Sequence, residues 1–163
     1  MSQPAWDGEN VYITYPAQDR YHHLAALKLE NGETVWDVQI AGDLTSAPVI
    51  YKNSVYITTL DGTIYRYDKK SGKLIWSFKK NATCAPYVYK DSIFISLREE
   101  KGKQPYEGIA TLEVINGKQQ QKELWSKCEA DYSVYGRKRA KIDIRKVIDA
   151  EVGIYPHPCH CKT

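Results

Sequence analysis

The side chains best suited to metal chemistry lie at the C-terminal end of the chain. The sequence "YPHPCHCKT" (155–163) contains His157, Cys159, His160 and Cys161. Thiolates and imidazoles are the ligands that zinc and softer metals prefer. A structural zinc site usually takes Cys-x-x-Cys pairs separated by a loop, whereas the Cys-x-Cys spacing here makes a strained chelate. We therefore favour a disordered tail end, or residues read from an altered frame, over a metal site.

A second candidate is the basic segment "YGRKRAKIDIRK" (135–146), which has several tyrosines nearby. Such a segment can contact nucleic acid or anionic lipid. The alternation of charged and aliphatic residues in "KIDIRKVI" also fits an exposed strand, and residues 137–151 can equally be read as a helix. We favour a solvated strand or helix, and we do not expect a nucleic-acid partner.

The net charge of +3 is confined to the end of the chain. Residues 1–126 contain 15 basic and 15 acidic residues, whereas residues 127–163 contain 8 and 5. This change of composition indicates a domain boundary near residue 130 and leaves 127–163 as a basic tail, which is either non-native or disordered.

The remaining candidates are isolated. His22 and His23 are adjacent in an extended hairpin, so they point to opposite faces and are not expected to share a metal. The polar stretch "REEKGKQPYEG" (98–108) is predicted to be a tolerated surface insertion in preference to a recognition loop. Either Cys84 or Cys128 is expected to face the core. The sequence thus assigns no catalytic, cofactor-binding or metal-binding residue.

Residues 1–126 form an internal repeat. The sequence "QPAWDGENVYIT" (3–14) aligns with "APVIYKNSVYIT" (47–58), and the latter aligns with "APYVYKDSIFIS" (85–96). Each unit then ends in a Gly followed by a Trp, as in "ENGETVW", "KSGKLIW" and a looser "INGKQQQKELW". The chain therefore contains three repeat units of about 40 residues each, at about 1–40, 41–80 and 81–126.

Each unit contains four short runs rich in Val, Ile, Tyr and Thr. In the second unit these are "APVIY", "SVYITT", "TIYRYD" and "KLIWSF", separated by turns that contain Asn, Asp and Gly. Such runs are typical of strands joined by hairpins, and no helical period competes with them in residues 1–126. The sequence therefore predicts an all-β chain made of three four-stranded antiparallel blades of a partial β-propeller.

The Gly and the Trp of each unit have distinct predicted roles. Gly72 lies where a turn needs positive φ, and Asp68 can accept hydrogen bonds from that turn. A large ring at a fixed place in every unit can lie over the turn and fill the wedge between blades. We therefore predict that Trp36, Trp76 and Trp125 are packing residues and not ligand platforms.

The stretch "RYDKKSGKLIW" (66–76) resembles the tryptophan-docking motif of pyrroloquinoline-quinone-like β-propeller repeats, Ala-x-Asp-x-x-Thr-Gly-Lys-x-x-Trp. Asp68, Gly72, Lys73 and Trp76 match it, whereas Arg66 stands in place of the Ala. The resemblance covers about residues 1–126. It is weaker in the first unit and weakest in the third, where only Asn-Gly-Lys and the Trp are kept.

The family includes quinoprotein dehydrogenases and a lipoprotein of the outer-membrane assembly machine. The dehydrogenases use an Asp base, a calcium ion held by Glu and Asn, an Arg near the quinone and often a disulfide of adjacent cysteines. No two cysteines of this chain are adjacent, and no acidic cluster matches the calcium site. We therefore expect no cofactor and lean against an enzyme. The resemblance implies a periplasmic or extracellular setting, although the N-terminus has no signal-peptide pattern.

Three blades are fewer than a closed propeller needs. The chain is either a piece of a larger propeller, or a chain that completes a ring with itself or a partner, or an open array capped by its tail. The function we expect is a non-catalytic binding or scaffold module that contacts a protein or ligand. The alternative is part of a quinoprotein-type dehydrogenase whose active-site residues lie in blades absent from this chain.

Overall fold

A computed structural model describes residues 3–43, 46–101, 104–120 and 123–127 of the chain. These residues form three four-stranded antiparallel sheets, in which consecutive strands pair with one another. The predicted all-β class and the three propeller-type blades are confirmed. None of the described residues belongs to a helix that is long and apolar enough to cross a bilayer.

The three sheets are called blades 1, 2 and 3. Blade 1 consists of β1 (Ala5–Trp6), β2 (Asn10–Pro16), β3 (His22–Lys28) and β4 (Thr34–Ile40). Blade 2 consists of β5 (Val49–Tyr51), β6 (Ser54–Thr58), β7 (Thr63–Asp68) and β8 (Leu74–Lys79). Blade 3 consists of β9 (Tyr87–Tyr89), β10 (Ser92–Lys101), β11 (Gln104–Glu113) and β12 (Leu124–Lys127).

Two apolar clusters hold the blades together. The first lies between blades 1 and 2 and contains Tyr12, Leu24, Ala26, Trp36, Ile40, Val55, Ile57, Tyr65 and Tyr67. The second lies between blades 2 and 3 and is built around Tyr56, Ile64, Ala82, Val88, Ile93, Ile95, Leu97, Ala110 and Leu112. We call the side of a blade that faces the preceding blade its leading face, and the opposite side its trailing face.

A one-residue bulge decides which face carries the Trp. In blade 1, Leu27 pairs with Thr34 but Ala26 pairs with Trp36, so one residue of β4 is left over. Blade 2 repeats this irregularity, and Arg66 pairs with Trp76. Because side chains alternate along a strand, one extra residue moves the Trp to the other side of the sheet. Both rings therefore lie on the trailing face.

Trp125 lies on the opposite face from the other two rings. It pairs with Gly108, which in turn pairs with Leu97 of the second cluster. Its ring packs against that cluster from blade 3, back towards blade 2. The indole N–H donates to Glu123 Oε2 at 2.7 Å, within the same outer strand region. The expectation that Trp125 repeats the arrangement of Trp36 and Trp76 is therefore wrong, although it is a packing residue.

The turn between the first two strands of each blade uses a left-handed residue. Gly8 has φ +100°, and the corresponding Lys52 and Lys90 both have φ +51°. A residue with a Cβ pays about 1 kcal/mol or more for this conformation, because the Cβ crowds the carbonyl oxygen. Each Lys ammonium lies just over 5 Å from the ring of the Tyr before it, which offsets part of that cost.

We expect Lys52→Gly to raise the free energy of unfolding by about 0.5–1 kcal/mol, because it removes the left-handed strain. The measurement is urea denaturation followed by circular dichroism. Lys70→Gly is the matched control, since Lys70 is an exposed turn residue outside the positive-φ group and should lose about 0.5–1 kcal/mol. Equal destabilisation by both changes would contradict the expectation.

Candidate functional site

The apolar cluster between blades 1 and 2 is accompanied by an indole that packs on a glycine of the following blade. The Trp36 N–H donates to the Lys69 carbonyl oxygen at 2.9 Å. The ring covers Gly72, and a Cβ added there would lie 2.7 Å from two of its carbon atoms. Gly72 has φ +69°, so the turn needs glycine for its own backbone as well. The ring thus packs on the turn of the following blade. This contact is how Trp36 fills the space between the two blades, as the sequence predicts.

The joint between blades 2 and 3 has the same Trp-on-Gly contact, and the guanidinium of Arg66 takes part as well. The Trp76 N–H donates to the Val114 carbonyl at 3.0 Å, and the ring lies over Gly117. Arg66 donates to the same carbonyl at 2.6 Å, and its Nε donates to Ser54 Oγ at 2.9 Å. Arg66 stands where the repeat motif has Ala, and the sequence offered no signal for this role.

The carboxylates of the turns act as structural acceptors. Asp61 accepts hydrogen bonds from the hydroxyls of Thr59 and Thr63, which lower its pKa to about 2. Asp68 accepts from the side chain and backbone of Ser71, which also lower its pKa. Hydrogen bonds formed with the folded chain thus keep these groups ionised. Asp68 therefore has the role that the sequence predicted for it.

A denser polar group surrounds His23 on blade 1. The Nδ1 atom lies 2.7 Å from Asp37 Oδ1, and Nε2 lies 2.9 Å from Asp19 Oδ2. Tyr15 donates its hydroxyl to the other oxygen of Asp37. Because two carboxylates favour the imidazolium, Asp37 first and then Asp19 raise the pKa of His23 above its ordinary value. The group fastens the β2–β3 turn to β4.

This arrangement predicts a pH-dependent contribution to stability. A raised pKa means that His23 stabilises the fold fully below its unfolded pKa of about 6.5, and that this stabilisation is lost as the pH rises through the folded pKa. The stability difference between wild type and His23→Gln should therefore be larger at pH 5.5 than at pH 9, measured by urea denaturation. In an Asp37→Asn background the difference should shrink at acidic pH; an unchanged difference in that background would contradict the assignment.

The other sequence candidates are placed as follows. His22 lies on the opposite side of β3 from His23 and contacts Asp43 at 3.1 Å, so the two imidazoles have separate partners, as their alternation predicts. Cys84 is exposed, so the expectation that it faces the core does not hold for this cysteine. Among the described residues, no group of three or more His, Cys, Asp or Glu side chains is arranged to hold a metal ion.

The described residues of the polar stretch, 98–101 and 104–108, belong to β10 and β11. The β10–β11 ladder continues through it as far as the pair of Lys101 and Gln104. It therefore lengthens a hairpin of blade 3. The remaining candidates, namely the segment 135–146, Cys128 and the set His157, Cys159, His160 and Cys161, lie outside the described residues.

The leading face of blade 1 carries an apolar cavity of about 380 Å³. Val11 on this face is half-buried, whereas Val55, the matching residue of blade 2, is buried against blade 1. Trp6, the residue opposite Val11 on β1, is 68% exposed. The cavity is lined by Pro4, Ala5, Trp6, Val11 and Leu29.

Comparison with curated proteins finds relatives of two kinds. An outer membrane protein assembly factor BamB from Taylorella asinigenitalis is 46% identical over 57 residues, which cover 34% of this chain and 15% of the relative. Subunit 1 of a methanol dehydrogenase [cytochrome c] from Methylobacterium organophilum is 35% identical over 82 residues, or 43% of this chain and 13% of the relative. The chain therefore spans a small part of the length of these relatives.

Solved structures share the fold. BamB from Moraxella catarrhalis superposes with a TM-score of 0.56 at 19% identity, over 70% of this chain and 34% of that one. Quinohemoprotein alcohol dehydrogenase from Comamonas testosteroni gives 0.58 at 16% identity, over 77% and 21%.

The sequence profile of a family described as "Outer membrane protein assembly factor BamB" matches residues 1–128. This match covers all three blades and most of the chain. The chain therefore belongs to this family of β-propeller proteins with pyrroloquinoline-quinone-like repeats.

Proposed function

We propose that the chain is a portion of a larger propeller that acts as a non-catalytic module for binding a protein partner. The observation that carries this proposal is the number of large apolar side chains on the surface of the blades. Exposed apolar side chains on the turns and edges of a rigid scaffold offer contact points to a protein partner. Among the described residues, the large apolar side chains that are exposed are Trp6, Tyr21, Leu29, Val35, Leu60, Leu74, Ile75, Tyr87, Tyr89, Ile115 and Leu124.

The state of the turn carboxylates supports the same proposal. Asp7 accepts hydrogen bonds from Tyr12 and from two backbone N–H groups, and it pairs with Lys69 at 2.7 Å. Burial by itself would raise the pKa of Asp7, but these partners outweigh it and hold the pKa well below its usual range. A carboxylate held in this way stabilises a turn and is poorly placed to act as a general base near neutral pH.

The names of the relatives supply the class of partner. The family and two of the curated relatives are described as outer membrane protein assembly factors, which favours a protein partner for this chain. The same similarity favours an extracytoplasmic setting. A scaffold role therefore agrees with both the surface and the relatives.

The second candidate is part of a quinoprotein-type dehydrogenase. It is favoured by the 35% identity with the methanol dehydrogenase subunit over 82 residues. In that case the residues that hold quinone and calcium would lie in blades outside this chain, and these three blades would support them.

A paired experiment separates the two functions. A photoreactive phenylalanine analogue is placed at Tyr21, Leu60 or Leu74 in the longest form of the protein that its native cells produce, with Glu30 as the exposed polar control. We expect crosslinks to one protein partner from an apolar position and none from position 30. The same protein is titrated with pyrroloquinoline quinone and calcium, and we expect no quinone-dependent dye reduction. Dye reduction without a crosslinked partner would replace the scaffold by the dehydrogenase.

A further inference from the structure

The turns at one end of blades 1 and 2 carry opposite net charges. In each blade these are the turn between the first two strands and the turn between the last two. In blade 1 the turns, residues 7–9 and 28–33, contain four carboxylates and one lysine, which gives a net charge of −3. In blade 2 the matching residues, 51–53 and 68–73, contain four lysines and one carboxylate, which gives +3. We call the surface formed by these four turns the turn face.

The turns between the last two strands have the same backbone in both blades. The N–H groups of Gly32 and Gly72 each donate to the carbonyl four residues earlier at 2.9 Å. The two glycines also have nearly equal φ, +73° and +69°. Equivalent residues of the two turns therefore leave the blade in the same way. Two such positions carry charges of opposite sign, namely Glu30 against Lys70 and Glu33 against Lys73.

The acidic and the basic turns lie side by side. Lys69 Nζ pairs with Asp7 Oδ2 at 2.7 Å, and the Trp36 ring of blade 1 lies over Gly72 of blade 2. The corresponding turns of blade 3, residues 89–91 and 113–118, contain two lysines and two carboxylates and are neutral. The change of sign is therefore centred on the boundary between blades 1 and 2.

Several charges of the turn face are available for a contact outside the chain. Glu30, Lys70 and Lys73 are exposed, and none of them belongs to an ion pair with another described residue. Glu33 pairs with Lys28 at 2.7 Å, but both side chains are more than half exposed. Because turns lie at the ends of the strands, this surface stays accessible when the faces of the sheets are covered.

Two copies of the turn face are complementary to each other. A two-fold axis in the plane of this surface, between the two blades, places blade 1 of one copy opposite blade 2 of the other. Glu30 of each copy then faces Lys70 of the other, and Glu33 likewise faces Lys73. The contact is isologous, so each pair is formed twice. An anionic bilayer is a poorer match, since it would repel the acidic half of the surface.

We propose that the turn face is a self-association surface that binds a second copy of this chain in this two-fold arrangement. Exposed ion pairs contribute little individually, so the dimer is weak and dissociates as salt screens the charges. The proposal goes beyond the proposed function, because none of the apolar positions chosen for crosslinking to a protein partner belongs to the turn face.

The first test is sedimentation of the longest form of the protein at about 0.05 M and about 0.5 M salt. We expect a dimer at the lower concentration and a dissociation constant at least about tenfold higher at the upper one, because screening shortens the reach of each charge. A protein that stays monomeric at low salt would overturn the proposal, and so would a dimer that salt does not weaken.

Charge reversal makes the result specific. Glu30→Lys and Lys70→Glu each place like charges opposite one another in a homodimer, so each variant alone should have a dissociation constant at least about tenfold higher. An equimolar mixture of the two variants should form a heterodimer, because both pairs then have opposite charges again. The double variant Glu30→Lys/Lys70→Glu should dimerise like the wild type. Glu107→Lys, an exposed strand residue outside the turn face, is the matched control and should leave the dimer unchanged.

The mixture distinguishes a second copy from any other acidic ligand. A mixture that stays monomeric, or a dimer that survives either single reversal, would overturn the proposal. Circular dichroism of each variant checks that the blades remain folded, which we expect because these side chains are exposed. An uncharged photoreactive residue at position 30 removes one of the carboxylates, so that position remains a control for crosslinking to a protein partner. The two proposals can therefore fail separately.

Discussion

Gly72→Ala is expected to lower the free energy of unfolding by about 3 kcal/mol, whereas Gly32→Ala should lower it by only about 1 kcal/mol. Both residues have a left-handed backbone, so both changes carry about 1 kcal/mol of strain. Only at Gly72 would the added methyl lie 2.7 Å from the Trp36 ring, and displacing a packed ring adds about 2 kcal/mol.

The turns at Gly72 and Gly32 differ chiefly in whether a Trp ring covers them. Comparing the two variants therefore separates the loss of the ring contact from the cost of backbone strain. The measurement is urea denaturation of the two variants, with tryptophan fluorescence reporting on the ring and circular dichroism on the strands. Equal losses at Gly72 and Gly32 would show that the ring moves aside at no cost, and that the joint does not depend on close contact with glycine.

Trp36→Ala is expected to lower the free energy of unfolding by about 3–5 kcal/mol, which is typical of removing a buried Trp from a core. The side chain is 8% exposed, belongs to the first cluster and donates to the Lys69 carbonyl. The same change at Trp6, which is 68% exposed, should cost less than about 0.5 kcal/mol.

A conservative variant separates packing from hydrogen bonding at this joint. Trp36→Phe keeps an aromatic ring over Gly72 but removes the N–H, so we expect a smaller loss of about 1–2 kcal/mol. Guanidinium denaturation of the three variants supplies the measurement. If Trp6→Ala lowered the free energy of unfolding as much as Trp36→Ala does, the exposed ring of Trp6 would have a partner in solution. The expectation that burial makes Trp36 the more important residue would then be wrong.

The repeat is predictable from the sequence because its residues have strong preferences for particular backbone conformations. Gly72 and Gly117 mark left-handed turns, and short runs of Val, Ile and Tyr mark the strands between them. The strands of blade 2 begin and end within two residues of the predicted runs. Local propensity and periodicity are sufficient for such features.

The face on which Trp125 lies could not be read in the same way. Trp76 lies four positions after Gly72, whereas Trp125 lies eight positions after Gly117. The face depends on strand pairing, which shifts by two residues between the Leu112–Gln119 and Ile109–Leu124 pairs, whereas it shifts by one in blade 2. An even shift leaves the side chains on their original faces, and an odd shift exchanges them. Register is a property of the folded sheet, and a motif match does not contain it.

The contacts of Arg66 and His23 were hidden for a related reason. Arg66 reaches a carbonyl 48 residues along the chain, and His23 meets Asp37 on a different strand. Polar partners that are distant in sequence become visible only once the blades are packed. Asp19, four residues before His23, is the partner of His23 that lies nearest to it in the sequence.

The direction of the two Trp contacts has a consequence for the order in which the protein is made. Trp36 leaves the ribosome before Lys69 and Gly72, which form its seat, and Trp76 likewise precedes Val114 and Gly117. At typical translation rates each ring waits roughly 2–8 s for its partner turn. Blades 1 and 2 are therefore each completed by the blade synthesised next, whereas the ring of Trp125 packs against the cluster between blades 2 and 3.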